Sequence, residues 1–414
     1  MINLASRHKL RLAKNPAVAG GVAYGPEQAA VLDQKGLRAA RAEISSWPGY
    51  EPTPLVALPG LARAANVGAL YYKDEGWRFG LGSFKPLGGA YAVMRVIAGE
   101  VRRATGQVAT SADLLAGRHR DIAASVTVCA ATDGNHGRSV AWGARMFGCA
   151  CVIYINEAVT EGRERAIAAY GAQVRRVPGS FDDAVRAASE TSAARGWHVV
   201  PDTAAGGNVG ASGNVMQGYA LLADETVAQL PAGDVPSHLF VQAGVGGLAA
   251  AVCGQFWQAY GAQRPVTVIV EPHNSDCWYQ SLTAGEPVVV TGELESLMAG
   301  LACGEISPLS WPILKTGAHA VMTIPDAAAA ETMRLLADPP AGDPPVVGGE
   351  SGVAGLAALL LASGDADARA LLGLDETSIV VVIGSEGDTD PETYREITGR
   401  SGDQVRAAAL GGRA

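Results

Sequence analysis

The chain has 414 residues, with 32 Lys and Arg against 41 Asp and Glu, for a formal net charge of −9. At 48% hydrophobic and 18% charged residues it can bury a large core, which excludes wholesale disorder. The acidic balance argues against a nucleic acid or an anionic membrane as partner, since either needs a basic face.

The basic N-terminal stretch MINLASRHKLRLAKNP runs into no apolar segment of the kind a secretory signal carries, and it reads as a short solvated arm. No uncharged apolar run approaches the roughly 20 residues of a membrane span. Six cysteines are scattered without a CxxC pair, a spacing that fits neither a zinc site nor a disulfide framework. The expectation is a cytoplasmic protein with reduced thiols and no metal.

The first chemically suggestive segment is Gly82–Tyr91, GSFKPLGGAY. Pro86 suits the first position of a helix because it needs no N–H donor there. Lys85 then sits in the positive potential of a helix N-terminus, which favours the neutral amine able to form a Schiff base. A plain surface lysine beside a loop is the competing reading.

Strand-like runs alternate with helical patterns from there on. Ser125–Ala131 leads through ATDGNHG (Ala131–Gly137) into a helix over Arg138–Met146. That turn offers Asp133, Asn135 and His136 at the carboxyl end of a strand, where α/β sheets place ligands, although Asp, Asn and Gly are also ordinary turn formers. Cys151–Ile155 and Gln173–Val177 read as strands, with helices over Glu161–Tyr170 and Phe181–Arg195. The extended WHVVP then delivers Asp202, which alone could equally be a helix or turn cap. Ser237–Ala243 is a buried strand followed by GVGGL (Gly244–Leu248) and a helix to Tyr260. Glycines there let backbone amides close on a phosphate at a helix N-terminus, unless the turn is merely tight. Val266–Glu271 and Ser378–Ile383 are two further strands. The Ala/Gly-rich end beyond Asp403 is expected to fray. Strands alternating with helices imply an α/β fold with mostly parallel sheets covered by helices. The lack of a long linker implies two interwoven lobes.

A lysine in SFK, an Asn-bearing DGNHG turn and a GVGG loop, in this order, resemble the fold-type II pyridoxal-phosphate enzymes. The segments FKPLGGAYA, ATDGNHGRSVAWGA, MQGY, MAGLACG, GGESG and GSEGDTDP look like the diaminopropionate ammonia-lyases, from Phe84 to Pro391. The resemblance implies pyridoxal 5′-phosphate as cofactor, carried by Lys85. Asn135 would meet its phenolic oxygen, and Gly244, Val245, Gly246, Gly247 and Leu248 its phosphate. Ser385 would meet its pyridine nitrogen, a neutral partner that suits β-elimination. Backbone amides of Gly134, Asn135 and His136 would take the substrate carboxylate. Asp133 would be the base for D-2,3-diaminopropionate and Asp202 for the L-isomer, because a carboxylate takes a proton only from its own face. Lys85 would be a rival base and the donor to the departing amine. The products would be pyruvate and ammonia.

By the same resemblance, residues 1–100 and 231–414 would form the large cofactor-binding lobe and 101–230 a small mobile lobe, in a homodimer. Two departures bear on the substrate. The segment after Asp202, TAAGGNVGASGNV, has Gly, Asn and Ser where the family carries aromatic and acidic residues, and Ala302 stands where it usually has Asn. A dehydratase or β-eliminating lyase acting on a serine or threonine derivative therefore stays open, as does a cofactor-binding relative without turnover.

Overall fold

The computed structural model describes residues 4–18, 20–132, 134–202 and 209–411. Within them run, in chain order, β1 (Arg11–Lys14), β2 (Leu55–Ala57), β3 (Ala69–Asp74), β4 (Thr127–Ala131), β5 (Ala150–Asn156), β6 (Gln173–Val177), β7 (His198–Val199), β8 (His238–Gln242), β9 (Val266–Pro272), β10 (Ala320–Ile324) and β11 (Ile379–Gly384). They make two sheets, one in each of two compact units. The first unit comprises Met1–Ala30, Pro52–Gly82 and Leu222–Ala414; the second comprises Val31–Glu51 and Ser83–Leu221.

These units divide at 82/83 and 221/222, not at the expected 100/101 and 230/231, and residues 31–51 join the second. The reason lies in the helix Pro86–Thr105. It packs along the helix Asn135–Phe147, where a Cβ on Gly143 would stand only 2.7 Å from Ala90 Cα, so glycine is what lets the two backbones approach. The helix Gln34–Ile44 is tied in by Glu43, whose carboxylate accepts from Ser111 N at 2.7 Å and Ser111 Oγ at 2.6 Å.

In the first unit the order is β1-β10-β9-β8-β11-β3-β2, parallel except for the antiparallel edges β1 and β2. The helix Ala354–Ser363 (AGLAALLLAS) is apolar all round and buried from Ala354 to Ala362, as a helix with no polar face must be. It covers β8 to β11. The N-terminal segment is not a solvated arm. Leu10 and Leu12 pack on the core, Leu4 is fully buried, and Arg11–Lys14 pairs with β10. Charged Arg11 and Lys14 on that edge strand discourage further pairing. The C-terminal stretch is likewise ordered: Gly402–Gly411 is a helix, with Val405 buried and Arg406 paired to Asp388. Among the described residues no helix is long and apolar enough to cross a membrane.

Five polar side chains form a buried ionic cluster in this unit. Lys73 Nζ donates to Glu225 Oε2 at 2.9 Å and to Thr53 O at 2.8 Å. Arg78 donates to Glu75 at 2.8 and 2.9 Å and to Glu225 at 2.7 and 2.9 Å, and Thr53 Oγ1 donates to Glu75 at 2.6 Å. Removing one member strands the opposite charges in the core. Arg78→Met is therefore expected to cost about 3–5 kcal/mol in urea denaturation. A midpoint unchanged from the parent protein would show that the cluster is not held together by its charges.

The second unit carries the parallel sheet β6-β5-β4-β7 over a small core that includes Cys129, Val152, Tyr154, Ala184 and Ala188. Both sheets contain a reversal. From β4 the chain adds β5 and β6 on one side and returns with β7 on the other; from β8 it adds β9 and β10 and returns with β11. At such a switch point the loops leaving the strand ends part in opposite directions, opening a crevice where ligands bind.

Candidate active site

The second unit's switch point gathers residues that are far apart in the chain. Lys85 precedes the helix that begins at Pro86, as expected, and its carbonyl accepts from Ser139 Oγ at 2.8 Å. Asp202 follows β7. One of its oxygens pairs with Lys85 Nζ, and the other accepts from Tyr219 Oη at 3.2 Å. Burial pushes the Asp202 carboxyl up, but Lys85 and His136, with hydrogen bonds from Lys85 and Tyr219, outweigh it and hold the group at about 2. The carboxylate is thus ionised, and its basicity is restrained chiefly by the Lys85 ammonium.

His136 is buried, with Nε2 2.8 Å from Val200 O and Nδ1 3.6 Å from Asp202 Oδ1. Burial depresses its basicity, and the nearby Lys85 charge adds to this against the opposing pull of Asp202. A ring nitrogen facing a carbonyl must donate, so Nε2 carries a hydrogen and Nδ1 is the atom turned toward Asp202. Asn135 opens the helix Asn135–Phe147 at the end of β4. Of the three amides expected to meet a carboxylate, that of Gly134 already donates to Thr132 Oγ1 at 3.1 Å, as does that of Gly137. Asp133 and residues 203–208 lie outside the described residues.

The first unit's switch point carries the glycine loop and Ser385. After β8 two of the loop's carbonyls are already engaged. Gly244 O accepts from Trp278 Nε1 at 3.0 Å, and Val245 O from Ser307 N at 2.8 Å. Gly246 caps the helix Gly247–Tyr260, whose first-turn amides have no acceptor within the helix. This is the geometry of an anion cradle. Gly246 has φ +99°, and a Cβ there would overlap the buried Trp278 ring; one on Gly244 would stand 3.0 Å from Cys303 Sγ. Gly246→Ala is therefore expected to distort the cradle at about 1–3 kcal/mol of strain. Its readout is at least a tenfold weaker cofactor affinity by fluorescence titration; unchanged affinity would remove this loop from the phosphate site.

Ser385 follows β11 directly and is buried. The segments MAGLACG, GGESG and GSEGDTDP, far apart in sequence, knit together around it. Gly300 N donates to Ser351 Oγ at 3.1 Å, Ser351 N to Glu386 Oε1 at 3.1 Å, and Gly349 N to Glu386 O at 2.9 Å. Asp390 caps the helix Pro391–Thr398, its carboxylate accepting from Thr393 N at 3.3 Å. Sequence reasoning missed Thr132, Ser139, Tyr219 and Gln242. Only Gly88 and Gly89 hinted at two of them: a Cβ on Gly88 would overlap Tyr219, and one on Gly89 would overlap Ser139.

Residues 46–385 match the family model described as pyridoxal-phosphate dependent enzyme. The chain is 38% identical over 380 residues to the diaminopropionate ammonia-lyase of Escherichia coli strain K12, covering 90% of this chain and 94% of the relative. The solved holo structure of the Escherichia coli enzyme superposes with a TM-score of 0.85 at 37% identity, over 94% of this chain and 97% of that one. A structure of that enzyme with an aminoacrylate-PLP azomethine reaction intermediate gives 0.82 at 37% identity, over 94% of this chain and 97% of that one.

Proposed function

The chain belongs to the pyridoxal-phosphate-dependent enzymes, and from that membership we propose that it eliminates ammonia from 2,3-diaminopropionate. Its cofactor is pyridoxal 5′-phosphate, and its two-sheet α/β architecture is fold-type II. The residues present fit that group: a glycine loop that a Cβ on Gly244 or Gly246 would crowd, a buried hydroxyl at a strand end, and a lysine at a helix N-terminus. Bound there, the cofactor supplies an electron-withdrawing ring that acidifies the α-hydrogen of an attached amino acid.

The observation that carries the reading is the Asp202 carboxylate held ionised on Lys85 Nζ. Lys85 holds the cofactor, and Asn135, the Gly244–Leu248 loop and Ser385 position it. When Lys85 Nζ is taken up in holding the cofactor, the principal restraint on that carboxylate goes and burial raises its proton affinity, so Asp202 becomes a competent base in the loaded enzyme. Asp202 takes the α-proton of the L-isomer and Asp133 that of the D-isomer. Lys85 Nζ gives a proton to the departing β-amino group, and the first-turn amides after β4 hold the substrate carboxylate. With one water consumed, the balance is 2,3-diaminopropionate to pyruvate and two ammonia. The acting species is a homodimer in the cytoplasm.

The second reading, elimination from a β-substituted relative such as serine, is favoured by Ala302 and the Gly-, Asn- and Ser-rich segment after Asp202. Pyruvate release from the D- and L-isomers of diaminopropionate and of serine separates the two. Diaminopropionate turning over well above serine supports the proposal; serine preferred, or diaminopropionate inert in cofactor-loaded protein, refutes it.

A further inference from the structure

The end of β8 contributes a side chain that the proposed function does not use. Gln242 is 1% exposed, and its Nε2 lies 2.6 Å from Ser385 Oγ, 3.0 Å from Ile383 O and 3.4 Å from Gly352 O. Two of these three neighbours are backbone carbonyls, which only accept. Were the amide turned over, its oxygen would face both of them, so the NH₂ group must point this way. Oε1 has no hydrogen-bond partner among the described residues.

The consequence for Ser385 is directional. An amide NH₂ donates and does not accept, so Ser385 Oγ receives a hydrogen from Gln242 and its own hydroxyl hydrogen has to go elsewhere. We propose that Gln242 is a positioning residue that commits the Ser385 hydroxyl to act as a donor, so that the pyridine nitrogen of the cofactor is kept as an unprotonated acceptor. This rests on the assignment of Ser385 to that nitrogen. By occupying Ile383 O and Gly352 O as well, the amide removes the carbonyls that would otherwise compete for the serine hydrogen, so its loss takes that hydrogen away from the nitrogen. β8 and β11 are adjacent parallel strands, so the glycine loop and the hydroxyl donor issue from the same pair of strand ends, with Gln242 linking them.

The test is the ¹⁵N resonance of pyridine-labelled cofactor bound to the holoenzyme, with cofactor affinity measured in parallel. The wild-type resonance is expected at the position of an unprotonated, hydrogen-bonded pyridine. Gln242→Leu and Ser385→Ala should both move it toward a pyridine without a donor, and the double variant should move it no further than Ser385→Ala alone. Each single variant should weaken cofactor affinity about fivefold, the size of one lost hydrogen bond. Gln242→Glu, of nearly the same volume, covers the case in which the leucine variant does not fold: its carboxylate draws the hydroxyl hydrogen back and should also move the resonance. If Ser385→Ala shifts the resonance and neither Gln242 variant does, the positioning role is overturned and the Ser385 assignment stands. A resonance indifferent to Ser385→Ala, or a protonated nitrogen in the wild type, overturns the Ser385 assignment itself, and the role of Gln242 with it.

Discussion

Lys85→Ala is expected to abolish covalent attachment of the cofactor and to lower turnover by about 10³-fold or more, since one residue supplies both the anchor and the proton of the leaving group. The local structure argues for this lysine over the others. Lys73 is fully buried and spends its donors on Glu225, Thr53 and Gln229, so no ligand reaches it. Lys85 is partly exposed, at a helix N-terminus and at the switch point of its sheet, with a single carboxylate on its amine among the described residues. Borohydride reduction of the holoenzyme followed by peptide mass mapping should mark the peptide containing Lys85, and the variant should lack the absorbance of lysine-linked cofactor. A label on any other lysine would falsify the assignment.

Asp202→Asn should lower turnover of L-2,3-diaminopropionate by about 10²–10⁴-fold, the usual contribution of a general base, and leave the D-isomer within a few fold. Asparagine keeps the shape and the hydrogen bond from Tyr219 but cannot take a proton. The reciprocal loss is expected for Asp133→Asn. Equal loss on both isomers from either substitution would sink the two-base reading. The Lys85 contact adds a condition on pH. Held at about 2 while the Lys85 amine is free, Asp202 is ionised throughout the neutral range in the cofactor-free protein, so its ¹³C carboxyl resonance should not titrate there before the cofactor is loaded. In Lys85→Ala the depressing charge is gone, and burial should carry the Asp202 pKa upward; its ¹³C carboxyl titration measures this directly.

The strands that define both switch points were legible in the sequence because they are continuous β-branched runs followed by glycine-marked turns. Ser125–Ala131, Ser237–Ala243 and Ser378–Ile383 contain β4, β8 and all but the last residue of β11. The edges were not. β3 ends in Lys73 and Asp74, charges that look solvated in a one-dimensional reading; Lys73 is buried because Glu225 is brought to it from elsewhere in the chain, and the Asp74 carboxyl accepts from Gly76 N. β1 reads as a basic arm because its two apolar residues mean little until β10 offers a partner.

The same division runs through the site. The residues proposed to hold the cofactor stood out in two ways: Lys85 and the Gly244–Leu248 loop by residue type, a lysine at a helix start and glycines for close backbone approach after a buried strand, and Asn135 and Ser385 by the family resemblance. The sequence by itself therefore determined the α/β fold, the family and the order of the loops. Only the tertiary structure decided which groups stand behind them. Tyr219 against Asp202, Thr132 on the Gly134 amide and Gln242 against Ser385 are ordinary residues in ordinary helices, turns and strands. Their roles come from hydrogen-bond direction and from the balance of burial against charge, and both exist only once residues distant in the chain share one place.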